Sequence, residues 1–439
     1  MQRREFLKQT GLTIGVASVV GLAESPEASS AGPDSRDPAP FRPDDFASIR
    51  DQFSLTRNYV HMASFLLTSH PRPVAEAIER HLRALDENPV GYFHEQRGDG
   101  DARTRAAAAE YMGGNADDIA LTDSTTMGLG LLYNALRLSP GDEILTTTHD
   151  HYSTQMSLKY RAARTGGTVR EIAFYDDAAD VSTDEVVARL RKAVNERTRV
   201  LAVTWVHSST GVKLPIAAMA AAVHEINAER DPEDRLLFCV DGVHGFGIER
   251  EAISDLGCDF FVAGTHKWIF GPRGTGVIWG RSEAWKRVQP IIPSFGRNYG
   301  AWLGKLPFDE VTAGDLMTPG GFHSFEHRWA LPEAFHFHLA IGKARVADRI
   351  HALNTMAKDA LADMAHVKLH TPRSADLSAG IICFEVSSHS PGEVVESLLS
   401  RGIIASTSPY PVSYVRLAPS LMNDEREVEQ AARAIAALA

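Results

Sequence analysis

Within the stretch VDGVHGFGIEREAISDLGCDFFVAGTHKWIFGPRGTGVIWG, Val240 to Gly280, two residues have the types and placement for covalent chemistry. Asp241 closes one apolar run, Lys267 follows the end of the next, and the glycine-rich turn GPRGTG comes straight after. A lysine set between apolar stretches is poorly solvated, which favours its neutral, nucleophilic amine. Such an amine condenses with an aldehyde to an imine, while an acid within ion-pair reach of a ring nitrogen keeps that nitrogen protonated. The ordinary alternative for a lysine after a strand is a solvated charge on the sheet rim.

In an open parallel sheet the ligand crevice lies beyond the carboxyl ends of the strands, so the elements that carry the pair matter as much as the pair. DEILTTT (Asp142 to Thr148), RVLAVTWV (Arg199 to Val206), LLFCVD (Leu236 to Asp241), DFFVA (Asp259 to Ala263) and GTGVIWG (Gly274 to Gly280) are near-continuous apolar runs. Runs of this length suit strands buried on both faces. TDEVVARLRKAVNE (Thr183 to Glu196) and PIAAMAAAVHEINAE (Pro215 to Glu229) read as helices between them, the second with a proline at its start. The alternation predicts an α/β fold with a mostly parallel central sheet sandwiched by helices. After about residue 305 the pattern shifts to a long helical region over Trp329 to Ala365, a strand AGIICFEV (Ala379 to Val386) and a helix PGEVVESLLSRG (Pro391 to Gly402). The strand-like YVRLAP and a closing helix follow, the latter repeating Val428, Ala431, Ala432, Ile435 and Leu438 at helical spacing. The expected division is a leader over 32–55, a large domain over 56–305 and a smaller C-terminal α/β domain over 306–439.

With 439 residues, 44% hydrophobic and 23% charged, the chain has material for a substantial core, and disorder is excluded over most of it. A net charge of −11 gives nucleic acid or an anionic membrane no electrostatic attraction. A small-molecule or peptide-like amino-acid substrate is the expected partner. The N-terminus, MQRREFLKQTGLTIGVASVVGLAESPEASSAG, sets Arg3 and Arg4 before an uncharged stretch from Gly11 to Ala23. That stretch is too short to span a bilayer as a helix. Small residues close the segment at Ser29-Ser30-Ala31, so residues 1–31 read as a twin-arginine signal peptide. The export machinery is then a partner, the periplasm the expected destination, and no cysteine near the cleavage region offers a lipid anchor. Cys239, Cys258 and Cys383 lie in or beside apolar runs and read as buried thiols, not as a disulfide framework.

VDGVHGFG followed by DFFVAGTHKWIFGPRGTG resembles the signature of the class V aminotransferase family of fold-type I pyridoxal-phosphate enzymes, which includes cysteine desulfurases and isopenicillin N epimerase-like proteins. The similarity runs from NYVHMASFLLTSHPRPV (Asn58 to Val74) to YVRLAPSLMNDEREVE (Tyr414 to Glu429). It implies pyridoxal 5'-phosphate as cofactor, Lys267 as the Schiff-base lysine and Asp241 as the partner of the pyridinium nitrogen. By the same resemblance His244 hydrogen-bonds the cofactor's phenolic oxygen and His151, in THDHYS, stacks on its ring; a surface histidine is the alternative for the latter. TDSTTMGLGLL (Thr122 to Leu132) places Ser124, Thr125 and Thr126 before a helix, where open N–H groups and hydroxyls suit a phosphate. The plainer reading of that segment is a helix N-cap. His266 matches a second phosphate ligand, with Thr265 beside it. Arg416, in YVRLAP, matches the arginine that grips a substrate α-carboxylate, a task suited to its planar fork; a structural salt bridge is the alternative. The resemblance also implies a homodimer with the active site at the interface.

Three departures limit what carries over. The loop IIASTSPYPVSYVR lacks the nucleophilic cysteine that desulfurases carry before the substrate arginine, so persulfide-forming desulfurase activity is not expected. Gly264 stands where many members have serine, which leaves one phosphate contact to be lost or supplied by Thr265. SFEHRWALPEAF (Ser324 to Phe335) stands in place of the family's Gly-Thr segment, and His327, Arg328 and Trp329 are expected to reshape the pocket mouth; His207 and Ser208 in WVHSSTG are further pocket candidates. In character the chain resembles the isopenicillin N epimerase-like branch, whose exported members include a periplasmic enzyme that tailors the acyl side chain of the siderophore pyoverdine. The functional expectation is therefore an exported enzyme that modifies an amino-acid-derived group on a secreted natural product, such as a siderophore side chain. Its alternatives are a periplasmic carbon–sulfur lyase, epimerase or aminotransferase acting on a small amino acid, and a binding protein that keeps the fold without the imine.

Overall fold

The computed structural model describes residues 41–439; residues 1–31, read above as a signal peptide, lie outside the described residues. Near the start of that range β1 (Val60–His61) precedes the main sheet, whose strands in chain order are β2 (Ile119–Thr122), β3 (Glu143–Thr147), β4 (Thr168–Ile172), β5 (Thr198–Thr204), β6 (Leu237–Asp241), β7 (Phe260–Gly264) and β8 (Gly276–Gly280). They lie side by side in the order β2-β8-β7-β6-β5-β3-β4, and all but β8 run in one direction.

Strand periodicity explains why the predicted runs are apolar throughout. In β6, Phe238 and Val240 belong to the core on one face of the sheet, while Leu237 and Cys239 belong to the core on the other. β7 does the same with Phe261 and Ala263 against Phe260 and Val262. Helices Thr125–Ala135 and Tyr152–Thr165 cover one face through Leu129, Leu132 and Leu158. Asp99–Met112, Thr183–Ala193 and Ile216–Ala228 cover the other through Met112, Leu190 and Met219. The central α/β expectation therefore holds.

The C-terminal unit is built on an antiparallel sheet, β12-β13-β10-β9, formed by β9 (Val367–Leu369), β10 (Ile382–Val386), β12 (Ser406–Thr407) and β13 (Val415–Leu417). β11 (Ile403–Ile404) pairs in parallel with β1, tying the N-terminal segment to this unit. Helices Pro391–Ser400 and Glu425–Ala436 each begin with a capping box, Ser390 with Glu393 and Asp424 with Glu427. The long helical region read over Trp329 to Ala365 is two helices, Phe325–Ile341 and Lys343–Ala362. Gly342 separates them at φ 93°, a left-handed conformation that a side chain resists. Among the described residues no helix is long and apolar enough to cross a membrane.

Candidate active site

The loops after β2, β3, β5, β6 and β7 leave the same edge of the sheet and supply the walls of one open cleft. Ser124, Thr125, Thr126, His151, Asp241, His244, His266, Lys267 and Arg416 all line it. β6 and β7 pair in parallel with Asp241 opposite Val262, which sets the acid and the segment carrying Lys267 side by side. Close packing behind the acid demands a glycine next to it: a Cβ on Gly242 would lie 1.9 Å from the Phe261 ring.

Asp241 is 2% exposed; its Oδ2 accepts from Thr154 Oγ1 at 3.1 Å and its Oδ1 from the Val243 N–H at 3.3 Å. Burial raises its pKa to about 6, against the opposing pull of those donors and of the Lys267 charge. Burial likewise brings Lys267 down to about 8, partly offset by Asp241. Lys267 Nζ lies 3.4 Å from His244 Nε2. On the other side of that imidazole, Trp268 Nε1 donates to Nδ1 at 3.3 Å, so the ring proton belongs on Nε2, facing the lysine. Burial, reinforced by the positive charges of Lys267 and Arg416, holds His244 well below the ordinary histidine range and therefore neutral.

The phosphate-binding candidates meet at a helix end. Ser124 caps Thr125–Ala135, its Oγ accepting from the Met127 N–H at 3.1 Å. The N–H groups of Thr125 and Thr126 stand in the first turn, where a helix has no internal acceptor for them. Thr126 Oγ1 is 3.0 Å from Ser153 Oγ, and Thr125 Oγ1 accepts from the Gly264 N–H at 2.8 Å. That contact explains the glycine at 264: a Cβ there would sit 2.9 Å from Thr125 Oγ1. Thr265, by contrast, does not reach the cleft. Its hydroxyl is 2.5 Å from Thr275 Oγ1, which in turn donates to the Pro272 carbonyl, so the threonine closes the glycine-rich turn and does not replace a serine at 264. Burial, with Lys267 and Arg273 nearby, brings His266 down to about 4.

His151 caps Tyr152–Thr165 by accepting from the Ser153 N–H at 3.2 Å, which turns its ring into the cleft with the proton on Nε2. Arg416 is 2% exposed, donates to the Ser208 carbonyl at 3.1 Å and the Thr407 carbonyl at 2.8 Å, and lies 4.6 Å from the centre of the Phe65 ring. Its Nε has no partner, and no carboxylate among the described residues pairs with it. The structural salt bridge considered for this arginine is thus absent there.

The remaining candidates divide. Ser208 lines the cleft. His207 is fully buried behind it, with Nδ1 2.9 Å from Tyr175 OH and Nε2 3.8 Å from Asp150 Oδ1. His327, Arg328 and Trp329, expected at the pocket mouth, line no part of the cleft within this chain. His327 bonds the Arg273 carbonyl, Arg328 pairs with Asp101 and Asp123, and Trp329 stacks on Phe325. Sequence reasoning missed Phe65, Thr154 and Pro409; a threonine three residues beyond a histidine carries no local mark of a bond to an acid 87 positions away.

Three buried or half-buried charged groups, Asp241, Lys267 and Arg416, face one cleft with no ion pair to any described residue. Such groups call for a ligand that compensates them. A phosphorylated pyridine aldehyde fits: ring nitrogen to Asp241, carbonyl to Lys267, phosphate to the Ser124–Thr126 turn.

Comparisons with known proteins agree. The family model described as aminotransferase class-V matches residues 67–417. A probable cysteine desulfurase of Mycolicibacterium paratuberculosis is 26% identical over 391 residues, covering 84% of this chain but 53% of the relative, so the chain spans about half of that protein's length. The isopenicillin N epimerase of Streptomyces clavuligerus is 26% identical over 349 residues, 76% of this chain and 84% of the epimerase. Among solved structures, C-DES, a cystine C–S lyase in complex with cysteine persulfide, superposes with a TM-score of 0.75 at 22% identity over 87% of this chain and 98% of that one. A C-DES variant with glycine covalently linked to its PLP cofactor gives 0.77, also at 22% identity, over 88% and 98%. The chain belongs to the class V aminotransferase family and is a pyridoxal-phosphate enzyme of fold type I.

Proposed function

We propose that the protein is an exported enzyme that modifies an amino-acid-derived group on a secreted natural product, such as a siderophore side chain, and that it works as a homodimer. Arg416 carries the substrate class. A guanidinium that is 2% exposed, with an unpartnered Nε and no acid beside it among the described residues, is built for an incoming carboxylate. The open cleft, with the exposed Leu66 in its lining, supports a substrate larger than a free amino acid. The arginine pair in residues 1–31 supports export. Exposed Phe295, Trp302, Phe308 and Phe322 support a second copy covering them.

The cofactor supplies an electrophilic carbon and an electron-withdrawing ring. The chain's residues supply the rest. Arg416 fixes the substrate by its α-carboxylate. Asp241 keeps a proton on the ring nitrogen, a role that its burial strengthens because the pair, once formed, is shielded from water. His244 offers its Nε2–H to an oxygen beside the lysine. Lys267, whose amine burial favours in the neutral form, is the base for the α-proton.

A second reading, a carbon–sulfur lyase or epimerase acting on a small amino acid, is favoured by the relatives' own activities. All three cysteines are buried and burial pushes their thiols up, so none offers a thiolate to take sulfur in the cleft. Incubation of the holoenzyme with a siderophore precursor peptide, read by mass spectrometry, is expected to give a changed side-chain mass. An unchanged peptide in the presence of spectrally competent cofactor refutes the first reading, and release of pyruvate or sulfide from cystine selects the second.

A further inference from the structure

The loop between β12 and β13 brings up to the cleft-lining Ser208 a side chain that neither the fold nor the imine-forming pair requires. Its base is closed by Ser408 N donating to the Tyr414 carbonyl at 2.9 Å, Tyr414 N to Ser408 Oγ at 2.9 Å, and Ser413 Oγ to the Ser408 carbonyl at 2.7 Å. At its tip Tyr410 stands between Pro409 and Pro411, which restrict the backbone on both sides. From there the phenol crosses to the segment after β5, its oxygen 2.7 Å from Ser208 Oγ. Its ring meets that of His151 edge-on, 6.2 Å between centres at 80°. Ser208 also holds Arg416 through its carbonyl, and Ser208, Pro409, His151 and Arg416 line the cleft together.

Counting protons shows what the pair leaves over. Two hydroxyls carry two protons, and the bond between them uses one, whichever oxygen donates. Neither oxygen has a second partner among the described residues. Burial pushes the Tyr410 phenol up to about 12, so its proton stays in place at physiological pH. One O–H is thus free beside a guanidinium that lacks a carboxylate.

We infer that the Ser208–Tyr410 hydroxyl pair is a substrate-binding element whose spare O–H donates to the carboxylate held by Arg416. This rests on the proposed reading of Arg416 as the carboxylate site. A carboxylate has lone pairs enough for both a guanidinium fork and a hydroxyl. The neutral donor adds selection that charge alone does not, since it favours an anion whose second oxygen reaches the pair.

The test uses two carbonyl reagents on the holoenzyme, aminooxyacetate and O-methylhydroxylamine. Each displaces the lysine nitrogen from the cofactor carbon and frees the Lys267 amine, but only the first carries a carboxylate. Loss of the cofactor's visible absorbance against reagent concentration gives the preference between them. The double variant Ser208→Ala/Tyr410→Phe removes both hydroxyls at once, so no buried partner is stranded and the ring contact to His151 remains. It is expected to lower the preference for aminooxyacetate about tenfold, the worth of one hydrogen bond to a charged group. Each single variant, still holding one O–H, is expected to lose less. If the double variant keeps the wild-type preference while Arg416→Ala abolishes it, the inference fails and the carboxylate reading stands. If Arg416→Ala also keeps it, the carboxylate reading itself fails.

Discussion

Two lysines and two arginines separate the cleft from the frame that holds it. Lys358 is 2% exposed, and its Nζ donates to the Pro372 carbonyl at 3.0 Å, the Arg373 carbonyl at 2.8 Å and Ser378 Oγ at 2.7 Å. Among the described residues Lys267 has one neighbour within hydrogen-bond range, a neutral imidazole at 3.4 Å. Burial lowers the pKa of both. Arg328 is 4% exposed and meets two carboxylates, Asp101 and Asp123; Arg416 is 2% exposed and meets none among the described residues. Burial alone does not mark a reactive group. What marks it is burial with the partner left out, because a buried charge without compensation is costly and persists only where something else completes it.

The sharpest way to break this contrast is to exchange the lysines' fates. Lys267→Ala is expected to lower turnover at least about a hundredfold by removing a proton-transfer group. It should also abolish the pyridoxyl-lysine peptide recovered after borohydride reduction, with the melting temperature unchanged or raised. Lys358→Met should do the reverse. It strands three acceptors at a cost of about 1–3 kcal/mol, so the melting temperature falls while reduction still labels Lys267. A labelled peptide containing Lys358 in the wild-type protein would overturn the distinction.

The arginines give the next effect. Arg416→Ala removes the only charged group assigned to a substrate carboxylate and is expected to raise KM about a hundredfold, within the range for truncating one side of a buried charge pair. Cofactor content should stay the same, because none of the residues assigned to the phosphate or the ring is touched. Arg328→Met should instead lower stability with KM for small substrates unchanged, its partners being Asp101 and Asp123 rather than the cleft. Equal KM effects from the two would erase the difference between frame and cleft.

Legibility in the sequence follows the same division. Strands β3, β5, β6, β7 and β8 were readable because both faces are buried and the runs are apolar throughout. β4 escaped because it is an edge strand, half-exposed and mixed in sequence, TVREI. β2 is four residues long, and β1 and β11 have two each, too short for any period to show. The Gly342 break was hidden inside a stretch whose composition favours helix on both sides. In the cleft, Asp241 and Lys267 were legible because each closes or follows an apolar run, and His244 and His266 because they lie in the stretch that resembles the family signature. Tyr410 and Phe65 were not, since their roles come from approaches over long separations: Tyr410 meets Ser208 from 202 positions away, and Phe65 meets Arg416 from the other end of the chain. Thr265 shows the opposite error, a residue adjacent to the right place whose side chain points to Thr275.

The smallest effect tests the lysine contrast without any substitution. Apoprotein captures pyridoxal phosphate only through a neutral amine, so the capture rate follows the fraction of Lys267 in its free-base form. Burial is the main cause that lowers this group, the Arg416 charge adds to it, and Asp241 opposes it, with the balance near 8. The sign is then fixed: raising the pH removes the proton and speeds capture. From pH 7 to 9 the rate is expected to rise about tenfold and then level off, the form of a single titration centred near 8. A solvated lysine with the ordinary value would keep accelerating past pH 9, by about tenfold per pH unit. The Asp241→Asn variant sharpens the reading, because removing the carboxylate removes the one influence that raises Lys267 and should move the midpoint to lower pH. A midpoint that stays put in Asp241→Asn would separate the two groups electrically and take the acid out of the lysine's environment.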